Sequence, residues 1–158
     1  MKTVAVLSDT HGNRKAIDRL SQILSECDYI IHLGDTSEDG AYIRSNYGSK
    51  TYLLNGNCDG CKLGEDELIL ETEGVKIFAA HGHLYGVKSG LKKLAARAKE
   101  LGCGVALYGH THSAREDEAD NVVLINPGCM TRYGGGSYCY LVLNNGKAVA
   151  KIVETDAY

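Results

Sequence analysis

Tryptophan is absent from this chain, phenylalanine occurs once, at Phe78, and proline once, at Pro127. Aromatic bulk therefore falls to tyrosine, which occurs ten times. No stretch is rich in proline or serine, so the chain offers no linker, low-complexity segment or repeat. No apolar run approaches the ~20 residues that a bilayer span requires, which excludes a membrane-spanning helix. Charge of one sign is also missing. A formal net charge of −3 argues against a stable nucleic-acid partner or an anionic membrane. One lysine precedes the first apolar run, which leaves no room for a signal peptide. The six cysteines (27, 58, 61, 103, 129 and 139) do not make a short secreted disulfide scaffold at this length. Cys27, Cys103 and Cys139 lie in or beside apolar segments and read as small buried hydrophobes. The expectation is one cytoplasmic domain, residues 1–158, with a real hydrophobic core.

What is present is a recurring pattern. Val4-Ala5-Val6-Leu7 reads as a buried strand, and it ends abruptly in Asp9, His11 and Gly12. Donors just past the C-terminal end of a parallel strand stand where open α/β sheets bind ligands. Asn13 caps a helix whose apolar stripe is Ala16, Ile17, Leu20, Ile23, Leu24 and Cys27. A second strand, 29–33, ends in Gly34-Asp35, and a short helix spans 39–47. A third strand, 51–54, ends in Gly56-Asn57-Cys58-Asp59. Leu68-Ile69-Leu70 and 75–79 flank Glu73-Gly74 as a hairpin, and the second of these strands ends in His81-Gly82-His83. The periodicity predicts a helix over 89–101, stopped by Gly102. Its Lys88, Lys92, Lys93, Arg97 and Lys99 read as a solvated outer face. Strand 105–108 ends in Gly109-His110-Thr111-His112. Strand 122–125 follows, then 137–143 and 148–153 around Asn144-Asn145-Gly146. Parallel α/β units in the first half and hairpins in the second fit two mixed sheets packed face to face with helices outside.

Five apolar runs thus end in Asp, Asn or His, and Gly34, Gly56, Gly82 and Gly109 adjoin donors, permitting a tight turn and close approach. One cation would be overserved by seven side chains: Asp9, His11, Asp35, Asn57, His81, His110 and His112. Two cations about 3.5–4 Å apart would not be, if a carboxylate bridges them, and Asp35 is the natural bridge. A thiolate-free set of hard and borderline donors suits manganese, iron or zinc; nickel and magnesium are further candidates. Such a centre lends itself to hydrolysis of a phosphoric ester by a metal-activated hydroxide.

The ordered set Asp9-Thr-His11, Gly34-Asp35, Gly56-Asn57-Cys58-Asp59, His81-Gly82-His83 and Gly109-His110-Thr-His112 resembles the calcineurin-like metallophosphoesterase superfamily. Within it the chain is similar to the small YfcE-type phosphodiesterases. The resemblance runs from the first strand to Asn126-Pro127-Gly128. It implies an α/β, four-layer αββα sandwich of the metallo-dependent phosphatase type, with two divalent ions, usually manganese. It also implies one ion held by Asp9, His11, Asp35 and His112, and the other by Asp35, Asn57, His81 and His110. Small members of the group often form homodimers. One departure is informative. Many members carry His after the metal-binding Asn, oriented by the following acid; here the pair is Cys58-Asp59. A thiol is neither a strong donor nor a cation. Poor alkyl leaving groups should suffer, so a small phosphodiester is the expected substrate. A phosphomonoesterase and a non-enzymatic scaffold resembling the retromer subunit Vps29 are the alternatives.

His83 stands between a substrate contact or leaving-group acid and an orienting residue. His32 reads as a satisfied near-core histidine. Cys58-Asp59-Gly60-Cys61 lacks the context of a redox or zinc motif. Asn126 is open between a ligand contact and a structural role. Arg132 is open between a phosphate fork and a surface residue. Gly134-Gly135-Gly136 is no phosphate loop, because no helix follows.

Overall fold

The computed structural model describes residues 1–130 and 135–155. The strands are β1 (Lys2–Leu7), β2 (Tyr29–His32), β3 (Thr51–Leu53), β4 (Glu67–Thr72), β5 (Val75–Ala80), β6 (Val105–Leu107), β7 (Arg115–Ala119), β8 (Val122–Asn126), β9 (Gly136–Asn144) and β10 (Lys147–Thr155). The helices are α1 (Arg14–Arg19), α2 (Ser21–Glu26), α3 (Ser37–Tyr47) and α4 (Lys92–Glu100). One sheet has the order β10-β9-β1-β2-β3, the other β4-β5-β6-β8-β7. β1, β2 and β3 are parallel neighbours, as are β5, β6 and β8. The edges are antiparallel, so both sheets are mixed.

Strand periodicity builds the layers. Val4 and Val6 point into a core shared with Ile77, Ala79, Leu107 and Leu141, so the two sheets bury their inner faces against each other. Ala5 and Leu7, one residue out of phase, meet Ala16, Ile17 and Leu24 beneath α1 and α2. Phe78, Ala106 and Leu124 meet Leu94, Ala95 and Ala98 of α4 on the far side. Helix, sheet, sheet and helix form the four-layer sandwich. No helix among the described residues is long and apolar enough to cross a membrane.

Three elements depart from the periodicity. The helix after Asn13 is interrupted at Leu20, whose N–H bonds back to Ile17 O at 2.9 Å, a tighter turn than an α-helix makes. The last helix begins at Lys92 and not at Ser89, because Gly90 has a φ of 151°, outside the helical region. β7 was not expected from its sequence, Arg-Glu-Asp-Glu-Ala. It is an exposed edge strand paired to β8 through Asp120 and Asn121, with φ of 53° and 62°. Glu73-Gly74 and Asn145-Gly146 make the expected tight hairpins, each with two positive φ angles. Arg132 and Gly134 lie outside the described residues.

Candidate metal centre

The C-terminal ends of β1, β2 and β3 in one sheet and of β5 and β6 in the other converge at one end of the sandwich. Backbone bonds tie these endings together. Asp9 N–H donates to Gly34 O at 3.0 Å, Thr10 N–H to Asp35 O at 3.0 Å, and Gly109 N–H to His81 O at 2.9 Å. Across the sheets, His110 N–H donates to Asp9 Oδ2 at 3.1 Å, and His81 Nδ1–H to Leu33 O at 2.8 Å. Five of the seven donor residues, Asp9, His11, Asp35, His110 and His112, have φ between 46° and 69°. Non-glycine residues in this region cost about 1–3 kcal/mol each, and they persist where the surroundings over-determine them.

Two trios of ligand atoms result, Asp9/His11/His112 and Asp35/His81/His110, each with all its atoms within 4.8 Å of one another. In the first, His112 Nε2 lies 3.1 Å from Asp9 Oδ1 and 3.4 Å from His11 Nε2. In the second, His81 Nε2 lies 3.5 Å from Asp35 Oδ2, and Asn57 Oδ1 lies 3.1 Å from the same nitrogen. Asp9 Oδ1 stands between the trios, 3.9 Å from His81 Nε2 and 4.0 Å from His11 Nε2. Asp9, Asp35 and His81 are buried, whereas Asn57, Cys58 and His112 are exposed, so the centre opens to solvent on one side.

The donor chemistry fits a divalent cation. Because His81 Nδ1 donates its proton to Leu33 O, Nε2 is the nitrogen turned to the carboxylates and available to a cation, the arrangement by which an outer partner fixes a metal-binding imidazole. Burial works against the charged forms of Asp35 and His81, yet their mutual attraction outweighs it. The His81 ring and the Cys58 N–H hold the Asp35 carboxyl well below the usual range, and Asp35 and Asp9 raise the pKa of His81. Burial lowers the pKa of His110 and of His83, with His81 adding to both effects.

At Gly56 and Gly109, beside Asn57 and His110, nothing larger fits. A Cβ on Gly56 would stand 1.9 Å from Asp35 Oδ1, and one on Gly109 would stand 2.0 Å from Ser8 Oγ and 2.7 Å from Asp9 Oδ2.

The remaining named residues fall into place around this centre. Asp59 accepts from three backbone donors, Asp35 N at 3.1 Å, Ser37 N at 2.6 Å and Gly56 N at 2.7 Å. Its carboxylate therefore ties the Asp35 loop to the Asn57 loop, and no bond to the Cys58 thiol is present. Cys58 gives its N–H to Asp35 Oδ1 at 2.9 Å, and its thiol accepts from Asn57 Nδ2 at 3.5 Å. Burial and the Asp35 charge push that thiol's pKa up. The His83 ring lies 5.4 Å from the His81 ring and 6.1 Å from that of His110, centroid to centroid. Its Nδ1 is buried without a partner among the described residues. His32 is satisfied in the core: Gly34 N–H donates to Nδ1 at 3.3 Å, leaving the proton on Nε2, which faces Thr10 Oγ1 at 2.9 Å. Asn126 is structural, because its amide donates to Gly109 O and Thr111 Oγ1 and accepts from Gly128 N–H.

Two residues escaped the sequence reading. Ser8 Oγ donates to Asp9 Oδ2 at 2.5 Å, fixing that carboxylate. Asp39, buried in the first turn of α3, accepts from Gly12 N–H at 2.8 Å and so holds the His11 loop. Ser8 had a visible signal, its adjacency to Asp9. Asp39 had none, because its partner lies 27 residues away.

Comparison with known proteins agrees with this geometry. Residues 1–147 match the model of the calcineurin-like phosphoesterase superfamily domain. The chain is 32% identical over 155 residues to the probable metallophosphoesterase YsnB of Bacillus subtilis, covering 96% of this chain and 90% of that one. It is 31% identical over 147 residues to the phosphodiesterase MJ0936 of Methanocaldococcus jannaschii, covering 79% and 82%. Two solved structures share the fold. One is a conserved protein of Streptococcus pneumoniae described as a predicted phosphoesterase, with a TM-score of 0.81 at 23% identity over 99% of this chain and 92% of that one. The other is Vps29 of Entamoeba histolytica complexed with zinc, with a TM-score of 0.77 at 18% identity over 98% of both. With carboxylates and imidazoles gathered at the meeting point of its two sheets, and the family model spanning most of its length, the chain belongs to the calcineurin-like phosphoesterase superfamily.

Proposed function

We propose that residues 1–158 act as one cytoplasmic domain, a metal-dependent phosphodiesterase that uses a pair of divalent cations, preferentially manganese. The observation that carries this reading is the pair of ligand trios, one built on Asp9 and the other on Asp35. One cation would be held by Asp9, His11, Asp35 and His112, the other by Asp35, Asn57, His81 and His110, with Asp35 shared. Bound cations of this kind lower the pKa of a water and neutralise charge on the phosphoryl oxygens.

The protein's own contribution is positional. The His81 proton on Leu33 O keeps the ring in the ligating tautomer, and Asp59 and Asp39 fix the loops that carry Asp35 and His11. Cys58 brings no positive charge, and a thiol is a weak hydrogen-bond donor. Protonation of a departing alkoxide therefore lacks a strong acid at this position, and esters with good leaving groups are favoured. This supports diesters over alkyl monoesters, in keeping with the activity in the name of the Methanocaldococcus jannaschii relative.

The test is metal analysis of purified protein with turnover of a chromogenic aryl diester and of an alkyl monoester across added Mn²⁺, Zn²⁺ and Mg²⁺. The diester should be cleaved faster, with Mn²⁺ most effective. Asp35→Ala should keep its fold and lose more than the ~10–100-fold typical of losing an outer-shell partner. A chelated enzyme that remains fully active, or a faster alkyl monoester, refutes the proposal. Protein that binds metal and turns over neither ester would favour the Vps29-like scaffold reading.

A further inference from the structure

On the far side of the His110–His112 loop lies a cavity of about 620 Å³. Tyr108 and Val87 form its apolar part, and Lys88, Thr111, Ser113 and Arg115 supply its polar wall. A second hollow of about 250 Å³ shares Ser89 and Gly90 with it and adds Lys92 and Lys93. No acidic side chain lines either hollow among the described residues, although the chain carries 20 acids against 17 bases. The lining is basic, with Asp117 bonded to Arg115 and Glu67 to Tyr85 just behind it.

Arg115 is anchored by a fork to Asp117, at 2.6 and 2.8 Å. Lys88, Lys92 and Lys93 have no carboxylate within ion-pairing distance among the described residues. These lysines differ from Arg97 on the same helix, which pairs with Glu67 and Glu100. Two of the residues lining the hollow adjoin the metal centre. Thr111 is the residue between His110 and His112. Val87 packs so closely on Gly82, next to His81, that a Cβ there would stand 2.8 Å from it.

We propose that this basic hollow is a subsite for a second phosphoryl group on the substrate, so that the preferred diester carries a phosphate monoester beside the bond to be cleaved. The proposal rests on the phosphodiesterase reading above. Lysine ammonium groups with nearby serine and threonine hydroxyls suit a phosphate that approaches from solvent. A hollow of about 620 Å³ accommodates a phosphorylated nucleoside-sized group.

Two measurements test it. In the first, metal-free nitrogen-15 protein is titrated with thymidine 3′,5′-bisphosphate and, separately, with thymidine. Amide shifts should appear in residues 87–93 and 111–115 with the bisphosphate alone, and should vanish in Lys88→Glu while Lys88→Arg retains them. Shifts elsewhere, or a map unchanged in Lys88→Glu, overturn the site. In the second, Mn²⁺-loaded protein is given thymidine 5′-(4-nitrophenyl phosphate) with and without a 3′-phosphate. The 3′-phosphate should raise kcat/KM about tenfold through KM, an advantage that falls to within about twofold in Lys88→Glu. Equal cleavage of both diesters overturns the subsite and leaves the phosphodiesterase reading intact. Correctly mapped binding without cleavage of either diester overturns the substrate assignment and that reading together.

Discussion

Replacing Asp59 with alanine removes the acceptor for three buried amides at once: Asp35 N at 3.1 Å, Ser37 N at 2.6 Å and Gly56 N at 2.7 Å. An orphaned buried N–H costs about 1–3 kcal/mol, and a bond to a charged acceptor is worth more than a neutral one. The truncated side chain leaves room for water at the rim, beside exposed Cys58 and Gly60. The total should therefore fall near the low end of the sum, about 3–5 kcal/mol. For a chain of this size that lowers Tm by about 10 °C. The assay is a calorimetric or circular-dichroism melt of metal-free protein, because the loss belongs to the loops themselves. With Mn²⁺ added, the same variant should bind metal about 10–100-fold more weakly, since the loops of Asp35 and Asn57 are no longer tied together. The pH profile of its residual turnover should keep the wild-type shape, because Asp59 meets backbone and not the Cys58 thiol. A metal-free melt within about 2 °C of wild type would refute the reasoning.

Gly109→Ala places a methyl 2.0 Å from Ser8 Oγ and 2.7 Å from Asp9 Oδ2. It should cost about 1–3 kcal/mol and weaken metal binding, with Ser8→Gly in the same chain restoring part of both, as read by melting and metal titration. Mass mapping after treatment of native protein with a thiol reagent should find Cys58 and Cys61, which are exposed, and miss Cys139. Burial pushes the Cys139 thiol up to about 12, so it should react only in denaturant. Asp28 accepts from Thr3 N–H and Lys2, and these hold its carboxyl below the usual range. Its folded pKa is depressed, so its contribution is present above the ordinary Asp pKa and is lost as pH falls through the lower folded value. Melting followed against pH should therefore show Asp28→Asn less stable than wild type at neutrality, with the two curves converging in strong acid.

The hairpins at Glu73-Gly74 and Asn145-Gly146 were legible because a turn with two positive φ angles needs such residues locally. β7 was not, because an exposed edge strand carries no apolar alternation. Its Asp120-Asn121 turn was the signal to follow. The apolar spacing that predicts a helix over 89–101 continues through Leu91, while Gly90 takes a backbone angle that spacing does not reveal, so the helix starts three residues later, at Lys92. The basic residues of that region read as one solvated face. In the structure Arg97 is paired and the lysines around 88–93 border a hollow.

The sequence by itself determined which side chains could serve as donors and that each follows an apolar strand. It also placed a glycine beside most of them, and covalent neighbours suffice for all of this. Tertiary structure decided how the donors divide into two trios, that Asp9 Oδ1 stands between them, and that Asp59 and Asp39 hold backbone amides 3 to 27 residues away. Those choices depend on how two sheets pack face to face. Packing brings together atoms whose separation along the chain bears no relation to their separation in space.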